Sequence, residues 1–172
     1  MTSKKGLTLA LKGETDLVFT RLFDAPRELV YDCHTKSELM RRWLTGPDGW
    51  TFAVCDLDLK VGGKYLYVWQ HATRPKFGMR GVFKEIVAPE RLVNTESFVP
   101  EPDALPANPA EDPGAALNTL VLTSEGEATL MTLTCRYPSP EIRKMVMETG
   151  METGMETSYL RLDAILGKMA AH

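Results

Sequence analysis

Alternating apolar residues predict a β-strand close to the start of the chain. In the segment DLVFTRLF, one face of the strand carries Leu17, Phe19, Arg21 and Phe23. Because side chains in a strand alternate between the two faces of a sheet, this pattern is a buried face with one polar interruption.

Two short helices are predicted directly after this strand. Asp24 stands before Ala25 and Pro26, which favours a helix with an acidic N-cap and a proline in its first turn, continuing through PRELVYDCHT. Ser37 is the predicted N-cap of a second helix with the sequence ELMRRWL. The turn-forming sequence GPDGW ends this helical part of the chain.

The middle of the chain reads as a series of strands. WTFAVCDLDL and GGKYLYVWQ are two strands that meet at Gly62 and Gly63, and FGMRGVFKEIVAPERLVNTESF gives two more, separated at Pro89. The segments NTLVLT, SEGEA and TLMTLTCRY predict a hairpin. Between these groups, residues 99–117 contain five of the eleven prolines, and we expect this proline-rich loop to be long, mobile and on the surface.

The last part of the chain predicts one long helix. Ser139 and Pro140 suit the N-cap and first helical position, and nothing but glycine interrupts the pattern up to Met169, which gives about 30 residues and about 45 Å of helix. Within it lies the repeat METGMETGMETS. A step of four residues rotates a helix by about 400°, so the repeated residues share one face. That face carries Met147, Met151, Met155, Tyr159, Leu162, Leu166 and Met169.

Strands in series followed by one terminal helix predict an α+β domain, in which an antiparallel sheet packs on that helix. The sheet side of this interface has its own pattern, because Tyr65, Tyr67 and Trp69 lie on one face of a strand. Buried tyrosine hydroxyls need hydrogen-bond partners, which indicates a polar or hydrated interior. The alternative is that the methionine face is ordinary core packing against the sheet.

The orientation of a neighbouring strand is open. In RLVNTESF, one face carries Leu92, Asn94, Glu96 and Phe98. If it points inward, Glu96 is buried and its pKa is raised; if the other face points inward, Glu96 is solvated. Arg80 alternates with Met79 and Phe83, and we favour a solvated arginine on the outer face.

Length, charge and composition argue against several classes of function. The 172 residues suit one domain, and a net charge of −3 with a pI of about 5.7 argues against a nucleic acid or an anionic membrane as the main partner. No apolar stretch approaches the ~20 residues that span a bilayer, so we expect a cytoplasmic protein without membrane contact. Neither the three cysteines nor His34, His71 and His172 have the spacing of a metal site, and we expect no disulfide, metal or cofactor.

The motifs together resemble one family. TRLFDAPRELVYDCHT, RWLTGPDGW, DLKVGGKYLYVW, RGVFKEIVAPERLV, TLVLT, TLTCRY and GMETSYLRLDAIL follow the order of the heat-shock-protein ATPase activator homologues (AHSA-type) of the START-like, or SRPBCC, superfamily, over about residues 16–166. The resemblance implies a helix-grip fold in one domain over residues 1–172, with a core over about 16–169. In this fold a curved antiparallel sheet wraps around a long C-terminal helix, leaving a cavity, and two short helices after the first strand close one end.

This sequence departs from the family pattern twice. The proline-rich loop is longer than expected, which leaves open that it acts as a lid, and the glycine-methionine phrase occurs nearly three times instead of once.

The resemblance does not fix a function. The first hypothesis is a protein that binds a small apolar or aromatic ligand in this cavity. We expect the ligand to contact Tyr65, Tyr67, Trp69, Met79, Phe83, Asn94, Glu96, Phe98, Met147, Met151, Met155 and Tyr159. Trp43, Trp50 and Trp69 are candidate fluorescence reporters of its binding.

Two alternatives remain at the level of the sequence. The first is a cofactor-free cavity enzyme of the polyketide cyclase, dehydratase or hydrolase type, for which Glu96, His71, Tyr65 and Tyr67 are the candidate acids or bases. The second is a co-chaperone-like interaction domain whose partner is a heat-shock ATPase, in keeping with a stress response. An open sheet edge also leaves room for a homodimer.

Overall fold

Hydrogen bonds join eight strands into one antiparallel sheet. The structure is a computed structural model that describes residues 6–170. Its strands are β1 (Thr8–Lys12), β2 (Asp16–Phe23), β3 (Trp50–Leu57), β4 (Lys64–His71), β5 (Phe77–Val87), β6 (Arg91–Val99), β7 (Ala116–Glu125) and β8 (Ala128–Arg136). They lie in the order β1-β2-β8-β7-β6-β5-β4-β3. The helices are α1 (Arg27–Thr35), α2 (Ser37–Trp43), α3 (Pro140–Met147) and α4 (Met151–Ala170).

The main core lies between the sheet and α4. The buried face of α4 carries Tyr159, Leu162, Ile165 and Leu166, which belong to one cluster with apolar residues of β2, β7 and β8 and with residues of α1 and α2. This arrangement confirms the predicted α+β, START-like architecture. Burial of this apolar face, at about 25 cal/mol per Å² of surface removed from water, is the main contribution that keeps α4 on the sheet.

The predicted caps of the two short helices are wrong. The N-cap of α1 is Pro26 instead of Asp24, because Pro26 has extended backbone angles and the helix begins only at Arg27. Ser37 is the first residue of α2 and Lys36 is its N-cap. The Ser37 hydroxyl instead donates a hydrogen bond of 2.8 Å to the carbonyl oxygen of Cys55, which connects α2 to β3.

The single long helix predicted for the C-terminal part is in fact two helices. Its start is as predicted, since Ser139 caps α3 by accepting a hydrogen bond from the Ile142 amide. The helix then ends at Met147, and Gly150 has a φ of +69° before α4 begins at Met151. This left-handed conformation is one that glycine adopts at little cost and that commonly ends helices.

Strand β1 is absent from the sequence prediction. It pairs with β2 at one edge of the sheet, from Thr8 opposite Thr20 to Lys12 opposite Asp16. Three of its five residues are exposed, and the alternation of Leu9 and Leu11 is too short to identify a strand by itself. The two short helices therefore follow the second strand instead of the first.

The proline-rich loop packs on the outer, convex face of the sheet. Three lysines on or beside β4 and β5 hold it there. Lys64 donates to Asn108 at 2.7 Å, Lys76 lies 2.8 Å from Asp103, and Lys84 lies 2.6 Å from Glu111. The suggested lid over the cavity is therefore wrong, because these contacts lie on the face of the sheet that points away from α4.

A buried arginine connects β2 to α4. Arg21, the polar interruption in the first predicted strand, is only 3% exposed. Its guanidinium makes two hydrogen bonds to Asp163, both at 2.8 Å, and two to Glu156, at 3.1 and 2.9 Å. It also lies 4.9 Å from the centroid of the Phe23 ring and 5.6 Å from that of Tyr159. This double fork, in which one guanidinium makes two hydrogen bonds to each of two carboxylates, fixes both the position and the rotation of α4.

We expect Arg21→Met to lower the free energy of unfolding by about 2–3 kcal/mol, because it leaves two carboxylates without their cation in a partly desolvated site. Urea denaturation at neutral pH measures this loss. Arg91→Met is the matched control, since Arg91 and its partner Glu85 are both more than 40% exposed. Its cost is expected to stay below about 1 kcal/mol. Equal losses in the two variants would contradict the assigned role of Arg21.

The two glycines of the repeat are expected to respond oppositely to alanine. Gly150→Ala places a side chain in a left-handed conformation and is expected to destabilise the fold by about 1 kcal/mol. Gly154→Ala is expected to stabilise it by up to about 1 kcal/mol, because this residue is helical and a Cβ there meets no atom within 4 Å. Chemical denaturation compares the two, and the same sign for both would contradict the break at Gly150.

Candidate functional site

A partly open space lies between the concave face of the sheet and the first turns of α4. This inner cavity has a volume of about 310 Å³, and α1 and α2 close one end of it through His34, Met40, Trp43 and Leu44. Volumes near 300 Å³ and above are typical of small-molecule sites. Most of its wall is apolar or aromatic, with polar groups concentrated on β6 and β7.

The structure brings ten of the twelve predicted ligand contacts together around the inner cavity. These ten residues are Tyr65, Tyr67, Trp69, Met79, Phe83, Asn94, Glu96, Met151, Met155 and Tyr159. Strand β6 thus points its Leu92, Asn94 and Glu96 side chains inward, which resolves the alternative left open by the sequence. The role of these residues in ligand binding stays a prediction.

The remaining two residues do not line the cavity. Phe98 is 60% exposed because it stands near the end of β6, where the strand has passed beyond the cavity, and its ring lies 5.8 Å from that of Phe77. Met147 lies in α3, before the helix break, and packs on the separate cluster that includes Leu17 and Tyr137. The structure thus places neither residue on the cavity wall. The sequence could not show this, because the periodicity of an isolated element does not show where the cavity ends.

The aromatic wall is held by direct contacts between rings and by hydrogen bonds to the backbone. The ring centroids of Tyr65 and Tyr67 are 4.7 Å apart, and Trp69 stacks on Phe52 at 4.8 Å. The Tyr65 hydroxyl donates to the Thr95 carbonyl oxygen at 2.5 Å, and the Trp69 indole donates to that of Leu44 at 2.8 Å. These fixed donors reduce the rotamer freedom of the wall before any ligand enters.

Glu96 is the acidic group of the inner cavity. It lies deep among protein atoms, and the part of its surface that is still accessible faces the cavity. Burial raises the pKa of this carboxyl group above its ordinary value of 4.5, although a hydrogen bond of 3.1 Å from the Asn118 side-chain amide opposes the effect. The raised pKa widens the range of pH over which the neutral, hydrogen-bond-donating form of this carboxyl group is populated.

His34 is a cavity residue that the sequence analysis did not select. Its Nδ1 lies 2.7 Å from the carbonyl oxygen of Val30, while the buried Nε2 has no hydrogen-bond partner among the described residues. Burial lowers the pKa of the imidazole, so the neutral ring is favoured. The signal that could have found it is its helical spacing from the buried Val30, four residues earlier.

The other candidates lie outside the inner cavity. His71 is at the end of β4, where its ring is 5.1 Å from Trp50 and its Nδ1 accepts a hydrogen bond from the Thr73 amide, so it does not share a site with Glu96. Arg80 lines a crevice of about 760 Å³ on the outer face, under the proline-rich loop, in keeping with the predicted outward orientation. Although this crevice is larger, we place the candidate site in the inner cavity, because that space is walled by fixed aromatic rings.

A second apolar space adjoins the inner cavity and forms its opening. This mouth groove has a volume of about 370 Å³ and shares six residues with the cavity, among them Leu44, Trp69 and Met155. The rest of its wall consists of Gly46, Pro47, Trp50, Phe77 and Gly154. The lack of a side chain at Gly154 leaves space beside the methionines, so one face of α4 borders both volumes.

Within residues 6–170 no helix combines the length and the apolar character needed to cross a membrane. In the same part of the chain, no three His, Cys, Asp or Glu side chains are grouped in a way that could hold a metal ion. The buried thiol of Cys135 lines the cavity, and burial raises its pKa to about 12, which keeps it protonated and poorly nucleophilic.

The curved antiparallel sheet, the long C-terminal helix and the space between them define a START-like domain. A family model described as Activator of Hsp90 ATPase homolog 1-like protein matches residues 24–167. The chain belongs to this family. A comparison with curated proteins finds no match.

Solved structures of similar proteins agree with this assignment. A crystal structure from Rhodobacter sphaeroides has 27% sequence identity and a TM-score of 0.83, covering 95% of this chain and 99% of that one. A crystal structure from Nitrosomonas europaea also has 27% identity, with a TM-score of 0.78 and coverage of 94% and 100%. A Mycobacterium smegmatis protein with 22% identity, a TM-score of 0.79 and coverage of 93% and 96% shows the same fold. The names of these three proteins state no ligand and no activity.

We expect Glu96→Gln to raise the free energy of unfolding at neutral pH by on the order of 1 kcal/mol. A folded-state pKa above 4.5 means that the folded protein holds this proton more tightly, so the stability of the wild type falls as pH rises from 4.5 through the folded pKa. Denaturation at pH 5 and pH 8 measures this loss, which the variant should lack. Glu125→Gln removes an exposed carboxylate as the control. A parallel pH dependence in wild type and Glu96→Gln would contradict the burial of this group.

Proposed function

We propose that this protein binds a small apolar or aromatic molecule in the inner cavity. The observation that carries the proposal is the cavity itself, a space of about 310 Å³ that opens into an apolar groove and has rigid rings on one side and methionines on the other. Methionine side chains adapt their shape to irregular ligands, whereas the aromatic rings provide large contact areas at low entropic cost. The few polar groups would set the orientation of the ligand.

Catalysis has less support in the geometry. Of the four candidate acids or bases, Glu96, Tyr65 and Tyr67 line the cavity but His71 does not. Burial raises the pKa of both tyrosines, which keeps their hydroxyls protonated and leaves them poor bases. A proton transfer needs an acid and a base within reach of one substrate. We therefore rank ligand binding above an activity of the polyketide cyclase type.

A co-chaperone role also has less support. The description of the family names activation of the Hsp90 ATPase, and such a partner would need a continuous docking surface of several hundred Å². The large apolar residues that are most exposed in the described part of the chain are spread over different segments. They are Leu11, Val61, Phe98, Met145 and Leu160. A stimulation assay with an Hsp90-type ATPase tests this alternative directly.

The binding proposal is tested with prodan, a neutral and apolar fluorescent dye. We expect saturable binding to the wild type and a loss of about tenfold or more in affinity in Met155→Trp, since Met155 borders both the cavity and the groove and the larger ring fills them. Leu160→Trp is the control, because Leu160 is on the same helix and 58% exposed. Absence of saturable binding to the wild type, or equal binding by all three proteins, would overturn the proposal.

A further inference from the structure

Two buried hydrogen-bond acceptors of the inner cavity have no donor within residues 6–170. They are Nε2 of His34 and Oδ1 of Asn118, and both residues line the cavity from different sides, on α1 and on β7. A buried polar atom without a partner is energetically costly, so such atoms are rare unless something else supplies the hydrogen bond. Their position beside an open space makes the content of that space the available partner.

The carbonyl group next to the His34 ring determines which of its two nitrogens carries the hydrogen. The carbonyl oxygen of Val30 can only accept, and it lies 2.7 Å from Nδ1, so Nδ1 carries the hydrogen. Because burial disfavours the charged imidazolium, Nε2 carries a lone pair and no hydrogen. The missing partner is therefore a donor, and a carbonyl, ether or carboxylate oxygen would not satisfy it.

Three hydrogen-bond donors of the cavity wall are already occupied. The Trp43 indole donates to the carbonyl oxygen of Cys33 at 2.8 Å, and the Trp69 indole and the Tyr65 hydroxyl donate to backbone oxygens as described above. They are thus held away from the free lone pairs, and a donor brought by the ligand would complete the network.

The surroundings of His34 indicate what the donor is attached to. Its ring is 5.0 Å from the Trp43 ring and 6.5 Å from the Tyr159 ring, and those two rings stack at 5.6 Å. A ligand group that reaches Nε2 must therefore pass between aromatic faces, where a flat apolar ring packs well and a charged group would be desolvated.

We propose that the ligand is a hydroxylated aromatic molecule whose hydroxyl group donates a hydrogen bond to Nε2 of His34. This inference rests on the proposed function and narrows it to one class of ligand. The apolar body of the molecule lies against the Tyr67 and Trp69 wall and the methionines of α4. Other neutral aromatic compounds can enter the cavity, but they leave the histidine acceptor without a partner.

The test compares naphthol with its methyl ether, which has the same ring but no hydrogen to donate. We expect the wild type to bind naphthol about tenfold more tightly, which corresponds to one buried hydrogen bond. His34→Phe should lose this preference while still binding the ether. His71→Phe is the matched control, because His71 lies outside the cavity, and it should keep the preference.

The outcomes separate the two proposals. If neither compound binds the wild type, the proposed function fails together with this inference. If both bind the wild type equally, or if His34→Phe keeps the preference for naphthol, only the inference is overturned.

A second measurement avoids any variant that folds poorly. In nitrogen-labelled wild type, naphthol should move the NMR resonance of His34 Nε2 to that of a hydrogen-bonded nitrogen, whereas the methyl ether should not. A free protein that already shows the hydrogen-bonded position would mean that a trapped water molecule is the partner, and that result would overturn the proposal.

Discussion

The double fork between Arg21 and the two carboxylates of α4 is the constraint on which the rest of the molecule depends. Glu156 and Asp163 are seven residues apart, so they project from the same side of the helix two turns from each other, and one guanidinium binds both. Apolar contacts alone would allow α4 to slide or rotate over the sheet. The directional hydrogen bonds exclude such movement, and the contact of Arg21 with the Tyr159 ring connects the clamp to the cavity wall.

The cavity exists because α4 carries side chains of different size on the two sides of its contact with Arg21. Towards the C-terminal end, large side chains such as Leu162 and Leu166 occupy the whole distance between helix and sheet and are buried. Towards the N-terminal end, α4 contributes methionines, Ser158 and a glycine, and the helix stops at Gly150. The same helix therefore forms a solid core over its last turns and the wall of an open space over its first turns.

Much of the fold and most of the cavity wall could be predicted from the sequence, because strand alternation and helical spacing are local properties. Alternation placed Tyr65, Tyr67 and Trp69 on one wall, and the step of four residues placed Met151 and Met155 opposite. The incorrect or missing predictions concern features that the local sequence does not determine. The phrase Met-Glu-Thr-Gly occurs twice in succession. The first copy forms the break between α3, which ends at Met147, and α4, whereas the second copy, up to Gly154, lies within α4. His34 was missed because the histidine was judged as a metal ligand, whereas its importance comes from a single unpaired nitrogen that only the packed structure reveals.

The position of the proline-rich loop has a mechanical consequence. By covering β4 and β5 from behind, it braces the aromatic side of the cavity, and its lysine contacts resist bending of those strands. In α4 the clamp begins only at Glu156, and the first turn before it follows directly on the backbone that departs from helical geometry at Gly150. The cavity thus has one stiff and one compliant side. Ligands of different thickness would be accommodated by movement of the methionine side chains on α4. The tyrosine and tryptophan side chains on the sheet would keep their positions.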